Sequence, residues 1–366
     1  MSANGNTISS LDIAYIVLEV VIALASLSGN VLVVWAVKLN KALRDTTFYL
    51  IVSLAVADIA VGAVAIPIAI LISLKVKMHF YCCLFACCLL CILTQNSILS
   101  LLAIAIDRYL RVKIPVKCGQ LGTLETTIKC EQFSCILKSL PSSYFRRYRA
   151  VMTHRRAWVA VGVCWLVPTI LGLLPMLGWH RGDSLGAAAE RNSSSSNSEG
   201  RYKACSFPAV MSMDYVVYFN FFGLILAPLL LMLGLYVLVF TTIKKQLHNS
   251  QGVCKASRLQ KELKLANALA LVLALFALCW LPLPIMNSVG FFCPTCHVSK
   301  AILYCGILLS HANSAMNPVV YAFKIKKFRV TFMRIWHHYY TGSEWNESTF
   351  HSNTLQSQRA DKSDSV

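Results

Sequence analysis

A chain of 366 residues that is 57% hydrophobic and only 14% charged is no ordinary soluble domain, where roughly a quarter of the residues carry charge. Its mean hydropathy of +0.60 points to an integral membrane protein built as one polytopic domain. The net charge of +18 does not make it a nucleic-acid binder, because the basic residues sit in short stretches between apolar runs, as membrane topology requires.

Residues 1–11 are polar at the start and lack the basic opening of a cleavable signal, and are expected to form a short exterior N-terminus. Seven apolar runs follow, at about 12–37, 46–74, 81–108, 157–179, 213–243, 265–290 and 299–323. A run of ~20 apolar residues crosses a bilayer as a helix, because hydrocarbon offers its backbone groups no other partners. Lys38, Lys41 and Arg44, then Lys244 to Lys264, then Lys324 to Arg329 mark one side of the membrane as cytoplasmic. The N-terminus is then outside, and Asn192, in Asn192-Ser193-Ser194, is an exterior glycosylation acceptor. The same pattern at Asn346 would be cytosolic and is discounted.

The 15 cysteines divide by compartment. Cys87, Cys88, Cys91, Cys164, Cys279 and Cys305 lie within apolar runs, where cysteine behaves as a small buried hydrophobe. Cys82, Cys83, Cys205, Cys293 and Cys296 lie at exterior ends or loops, where disulfides persist. Cys118, Cys130, Cys135 and Cys254 fall on the cytosolic side.

The third run is free of charge from Leu84 to Ile106 and closes on Asp107-Arg108-Tyr109, with Arg111 and Lys113 behind it. Thr94, Gln95, Asn96 and Ser97 within it fall in one turn and so face neighbours in a bundle. Asp58 in the second run is the deep carboxylate, and an ionisable group at membrane depth is a functional candidate by default. The sixth run holds Cys279-Trp280-Leu281-Pro282, and the seventh ends in Asn317-Pro318-x-x-Tyr321, where the proline bends the helix. These motifs, in register with Asn30, Trp165 and Pro228, resemble those of the rhodopsin-like G-protein-coupled receptors. The resemblance implies an all-α membrane fold, a seven-helix bundle over 12–323 with a short amphipathic helix at 324–340 and a disordered tail at 341–366. Phe328, Phe332, Ile335 and Trp336 mark one apolar side of that short helix, suited to the membrane interface.

Other seven-span and intramembrane proteins fit less well. A retinal pump needs a lysine between Ala301 and Phe323 and there is none; transporters show internal repeats and none is seen; a protease needs more than Asp58 at depth. The expectation is a receptor, not an enzyme.

Longer stretches, among them LLAIAIDRYLRVKIP and ILLSHANSAMNP, are similar to the adenosine receptors, most of all the inhibitory-coupled subtypes one and three. Leu90, Ser310 and Ile307-Leu308-Leu309 lean to subtype three; Gln95, Asn220 and Cys293-x-x-Cys296 lean to subtype one. The resemblance implies extracellular adenosine as ligand and an inhibitory heterotrimeric G protein as partner, lowering adenylyl cyclase activity. Arrestin binding and homo- or hetero-dimers are further implied partners, and the plasma membrane is the implied location.

By position, Phe207 stacks on the adenine and Asn287 hydrogen-bonds it, over a floor of Leu283, Ile307 and Trp280. Thr94, Ser310 and His311 contact the ribose hydroxyls, with Glu19 orienting His311. No cofactor is implied, but a sodium ion is expected as an allosteric ligand at Asp58, Ser97, Asn313, Asn317 and Trp280, with Asp58 and Ser97 as metal ligands. Asp107, Arg108, Tyr109, Glu262, Tyr236 and Tyr321 form the implied activation switch, in which Arg108–Glu262 is a surface pair worth ~0–1 kcal/mol. The implied disulfide is Cys83–Cys205, with Cys293–Cys296 as a second candidate.

Three features depart from the family. Pro208 follows the stacking phenylalanine, and Pro284 removes a donor from the sixth span. The segment CGQLGTLETTIKCEQFSCILKSLPSSYFR, residues 118–146, interrupts the second cytoplasmic loop. Removing it joins the flanks as IPVKRYRAVMTHRR, which reads as an alternative coding segment. A coupling-impaired isoform of the same receptor is therefore the rival reading.

Overall fold

The structure, a computed structural model, describes residues 9–40, 46–113, 154–181, 202–248, 253–293 and 295–337. Asn192, the 118–146 segment and the 341–366 tail lie outside the described residues.

Helix α1 (Ser10–Leu39) starts at a capping box, in which Ser9 and Asp12 satisfy each other's backbone N–H. Its buried residues, Tyr15, Glu19, Ser26, Asn30, Val33 and Val37, follow one another at spacings of three, four or seven, which keeps them on one helix face. The opposite face exposes Val17, Val21, Leu24 and Val31. A polar stripe inside and aliphatics outside invert the water-soluble pattern, which is the arrangement hydrocarbon demands.

Helix α2 (Thr46–Ala60) runs through a π turn (Val61–Ala65) into Ile66–Ser73. Pro67, which has no N–H to give Ala63, sits in the first turn beyond the π turn. Strand β1 (Lys77–His79) leads into α3 (Phe80–Lys113), the most enclosed helix, which packs on α2 and on the helices that follow it. Helix α4 (His154–Gly172) ends well before residue 179, where the apolar run ends. A 3₁₀ turn (Leu174–Leu177) with Pro175 in its first turn replaces the last part, and Gly178 closes it at φ 119°, a conformation that favours glycine. Strand β2 (Tyr202–Ala204) pairs antiparallel with β1.

Helix α5 opens as a π stretch (Tyr215–Leu226) and continues as Ala227–His248. Helix α6 (Val253–Trp280) breaks at Leu281 and restarts as Pro282–Phe292. Pro282 and Pro284 both lie in the first turn of the restarted segment, where helix N–H groups have no partner in any case. Helix α7 (Lys300–Lys324) carries Pro318 inside it, and α8 (Lys326–Trp336) follows after Ile325.

Among the described residues five helical segments are long and apolar enough to span a bilayer on composition alone. Of the other two, α4 is the shortest and starts with His154, Arg155 and Arg156. Helix α7 spends much of its buried face on Ser310, His311, Asn313, Ser314 and Asn317. Close approach fixes the seams: a Cβ added at Gly29 would sit 3.0 Å from the Pro318 ring, joining α1 to α7.

Two sequence expectations need correcting. Cys305 is exposed, facing outward from α7, while the other five in-span cysteines are buried. Along α8, Phe328, Phe332 and Ile335 share the apolar surface expected of them, but Trp336 does not. Phe328 and Ile335 are buried in the bundle, whereas Trp336 points outward.

Candidate functional site

The loop that carries Phe207 is tied at several points. Cys205 is bonded to Cys83 at the outer end of α3. Next to the bond, the Cys205 N–H donates to the Val76 carbonyl at 3.0 Å, extending the ladder that pairs Lys77 with Ala204 and His79 with Tyr202. On the far side, the Arg181 N–H donates to the Val210 carbonyl at 3.2 Å, and His180 bridges to Met211. Phe207 opens a one-turn helix (Phe207–Val210) and rests half-buried against the Cys83–Cys205 cluster. Pro208 lies in the first turn, a position helices tolerate. Cys293 and Cys296 are also bonded, closing the short α6–α7 connection.

Beneath the loop, the break in α6 leaves Trp280 half-buried, its ring lying over Phe276 at 6.2 Å between centroids. Leu283 packs against Gly306 of α7, next to Ile307, and Asn287 is half-buried one turn further out. Ser310 and Thr94 turn their hydroxyls back on their own helices, donating to Ile307 at 2.7 Å and to Leu90 at 2.8 Å. Helices α1 and α7 join through Glu19 and His311: Nδ1 lies 2.9 and 2.8 Å from the two carboxylate oxygens, and Glu19 is wholly buried. Gln95 donates to Asn220 at 2.8 Å, a polar tie between α3 and α5.

Deeper in the bundle, Asp58 is fully buried. Asn317 donates to its Oδ2 at 2.7 Å, while Oδ1 has no hydrogen-bond partner among the described residues. Ser314 lies beside the same carboxyl group, a neighbour that motif reading did not pick out. Ser97 and Asn313 are buried too, and Ser97 donates to Leu93 at 3.3 Å. Asn30 ties α1 to this level, donating to the Ser314 carbonyl at 2.8 Å. A buried carboxylate oxygen with no donor fits a small hard cation. Trp280 fits only as a wall, since an indole offers no acceptor atom.

At the opposite end of α3 from the disulfide, Arg108 contacts Asp107 and Thr47 and reaches Glu262 of α6 at 3.0 Å. Asp107 also accepts from Thr47 at 2.6 Å and from Arg111 Nε at 3.1 Å. The Arg108 side chain is only 3% exposed and that of Glu262 21%, so the pair is no surface contact, contrary to the sequence expectation. Thr47 had no signal in the sequence, lying far from the triplet; Arg111 did, at i+4 from Asp107. Tyr109 packs against Val112, Val239, Ile243 and Ala266, with Lys113 Nζ 5.3 Å from its ring centre. Tyr236 and Tyr321 are both buried, and Tyr321 stacks on Phe328 at 5.5 Å.

A family model described as 7 transmembrane receptor (rhodopsin family) matches residues 29–145 and 143–321, two segments that meet at the end of the 118–146 interruption. The chain is 46% identical to the adenosine receptor A3 of Ovis aries over 92% of its own length and 93% of the relative's. It is 46% identical to the A3 receptor of Canis lupus familiaris over 93% and 96%, and to that of Bos taurus over 92% and 93%. With these matches added to the helical bundle and its buried polar levels, the chain belongs to the rhodopsin family of seven-transmembrane receptors, in its adenosine-receptor branch, and is a multi-pass membrane receptor and not an enzyme.

Proposed function

We propose that this chain is a plasma-membrane receptor for extracellular adenosine that couples to an inhibitory G protein and lowers adenylyl cyclase activity, with its N-terminus outside. The observation that carries this reading is the buried Glu19–His311 pair. His311 follows Ser310 among the buried residues of α7, and Glu19 reaches it from the buried side of α1. In this reading Phe207 and Asn287 hold the base, Leu283, Ile307 and Trp280 close the floor, and Thr94, Ser310 and His311 bind the ribose. The names of the relatives support the ligand. Binding then works by preferring one of two bundle states.

Asp58, Ser97, Asn313 and Asn317 would hold a sodium ion, with Trp280 as the wall above it. When bound, the ion supplies the positive charge that Asp58 lacks. Asp107, Arg108, Tyr109, Glu262, Tyr236 and Tyr321 are the proposed switch, with arrestin and receptor dimers as further partners and Asn192 as a glycosylation site. The test is cyclic AMP in cells expressing this chain: adenosine should suppress it, and the Glu19→Gln and His311→Ala variants should require much more adenosine. Surface-expressed wild-type chain that binds no adenosine would end the proposal.

A second reading rests on the 118–146 segment, at whose end the two family matches meet. It makes the chain a coupling-impaired form of the same receptor, because the insertion lies in the loop after the Asp107-Arg108-Tyr109 triplet. Binding of adenosine without suppression of cyclic AMP would favour it.

A further inference from the structure

Above the Glu19–His311 pair, at the outer end of α1 and α7, lies a second polar cluster. Asp12 is its centre. Its Oδ1 receives the Lys300 ammonium at 2.6 Å and the Tyr304 hydroxyl at 2.7 Å. Its Oδ2 receives the Ser9 N–H at 3.1 Å and the Ser9 hydroxyl at 2.8 Å. The same carboxylate therefore caps α1 and grips α7. Lys300 also lies 5.3 Å from the Tyr304 ring centre, and that ring stacks on Tyr15 at 4.1 Å with 17° between planes. Tyr15 is one helical turn before Glu19 on the buried face of α1. Tyr304 is two turns before His311 on the buried face of α7.

The seam between α1 and α7 is thus held at two levels. Inside, Gly29 meets the Pro318 ring and Asn30 donates to Ser314. Outside, Asp12 clasps Lys300 and Tyr304. His311 lies between these levels, and its two contacts with Glu19 depend on how far apart the helices stand there. Small displacements of such a pair weaken it steeply, since hydrogen bonds lose strength with length and angle. We infer that Asp12, Lys300 and Tyr304 form a clasp that positions His311 for the ribose hydroxyls of a nucleoside. The inference rests on the nucleoside reading of the Glu19–His311 pair.

The clasp differs from the buried pair in one physical respect. The Lys300 side chain is 51% exposed and that of Asp12 14%, so salt screens this bridge. The grip on the ribose therefore weakens as ionic strength rises, although His311 itself is buried.

The test compares two probes on detergent-purified full-length chain: adenosine and 2′,3′-dideoxyadenosine, which lacks the 2′- and 3′-hydroxyls and keeps the 5′-hydroxyl. The ratio of their affinities reports the contacts of the 2′- and 3′-hydroxyls. Asp12→Asn and Lys300→Gln should each reduce that ratio about three- to tenfold, the span of a partly exposed ion pair with its hydrogen bonds. Dideoxyadenosine affinity should stay within about twofold and so serve as the control for folding. The exchanged pair Asp12→Lys with Lys300→Asp restores the charge pair but not the acceptor for Tyr304 and Ser9, so it should recover only part of the loss. Raising salt from about 0.05 M to 0.5 M should lower the ratio in the wild-type chain and leave it flat in Asp12→Asn.

An equal loss for both nucleosides, or a wild-type ratio indifferent to salt, would overturn the clasp as a positioning device. If the wild-type chain binds adenosine with a clear hydroxyl preference that Asp12→Asn leaves intact, the clasp alone is wrong. No adenosine binding by the wild-type chain would remove the nucleoside reading beneath it.

Discussion

Arg108 illustrates how one side chain is divided among competing partners. It contacts Asp107 and Thr47 and, across the bundle, Glu262. Because Arg108 is nearly fully enclosed, the Glu262 contact is worth more than a solvent-exposed pair. It is still less than a lone buried pair, since losing Glu262 leaves Arg108 with two partners. The Glu262→Gln variant is therefore expected to shift the bundle by about 1–2 kcal/mol away from the closed arrangement. That is a factor of about 5–30 in the equilibrium constant. The measurement is G-protein nucleotide exchange without ligand, which should rise; an unchanged basal rate would mean that Arg108–Glu262 holds nothing shut. Asp107 would keep Thr47 and Arg111 through such a change, so its buried carboxylate is never left alone.

Among the elements, α8 keeps the amphipathic pattern of its sequence and adds a docked inner face. A sequence of apolar residues between Lys326, Lys327, Arg329 and Arg334 reads as a helix lying on the membrane. The fold also draws Phe328 inward, between Phe48 at 5.7 Å and Tyr321 at 5.5 Å. Asn40 at the end of α1 donates to Thr331 at 2.8 Å, so α8 is docked as well as laid down. Phe328→Ala should cost about 3–5 kcal/mol, the range for emptying a buried aromatic site. Thermal melting of the detergent-solubilised protein is the check, with Trp336→Ala, whose side chain is exposed, as the variant that should melt like wild type. Equal melting temperatures for all three chains would show that α8 is not docked through Phe328. Prolines account for three other irregular places: Pro67, Pro175 and the Pro282–Pro284 pair lie in the first turn of a new helical segment.

For the whole molecule, the decisive question is whether the bundle signals with residues 118–146 present. A loop insertion adds little to the closure entropy of a folded domain, because that cost grows only logarithmically with length. The pocket residues come from helices outside the loop, so adenosine affinity should be the same, within about twofold, in the full chain and in a version lacking 118–146. Coupling should differ. We expect the shortened chain to suppress cyclic AMP at lower adenosine concentrations, since the removed segment follows the Arg108 end of α3. Dose–response curves for the two chains decide it, and superimposable curves would show that the segment is neutral.

The architecture was legible because lipid imposes a length and a polarity on each span, and both are one-dimensional properties. The seven runs, the Asp107-Arg108-Tyr109 end of α3 and the lone deep Asp58 could be read directly. The motifs also named residues for a ligand pocket, and the fold places Glu19 against His311 and Phe207 behind the Cys83–Cys205 bond. What the residues alone did not reveal was decided between helices far apart in the chain. Thr47 against Asp107, Asp12 against Lys300 and Phe328 against Phe48 have no local signature, because each contact exists only after the helices pack. The same holds for the end of α4, where Pro175 and Gly178 stop the helix although the apolar run continues. Hydrophobicity along the chain determines what enters the membrane; which polar groups meet inside it is set by the packing of one helix on another.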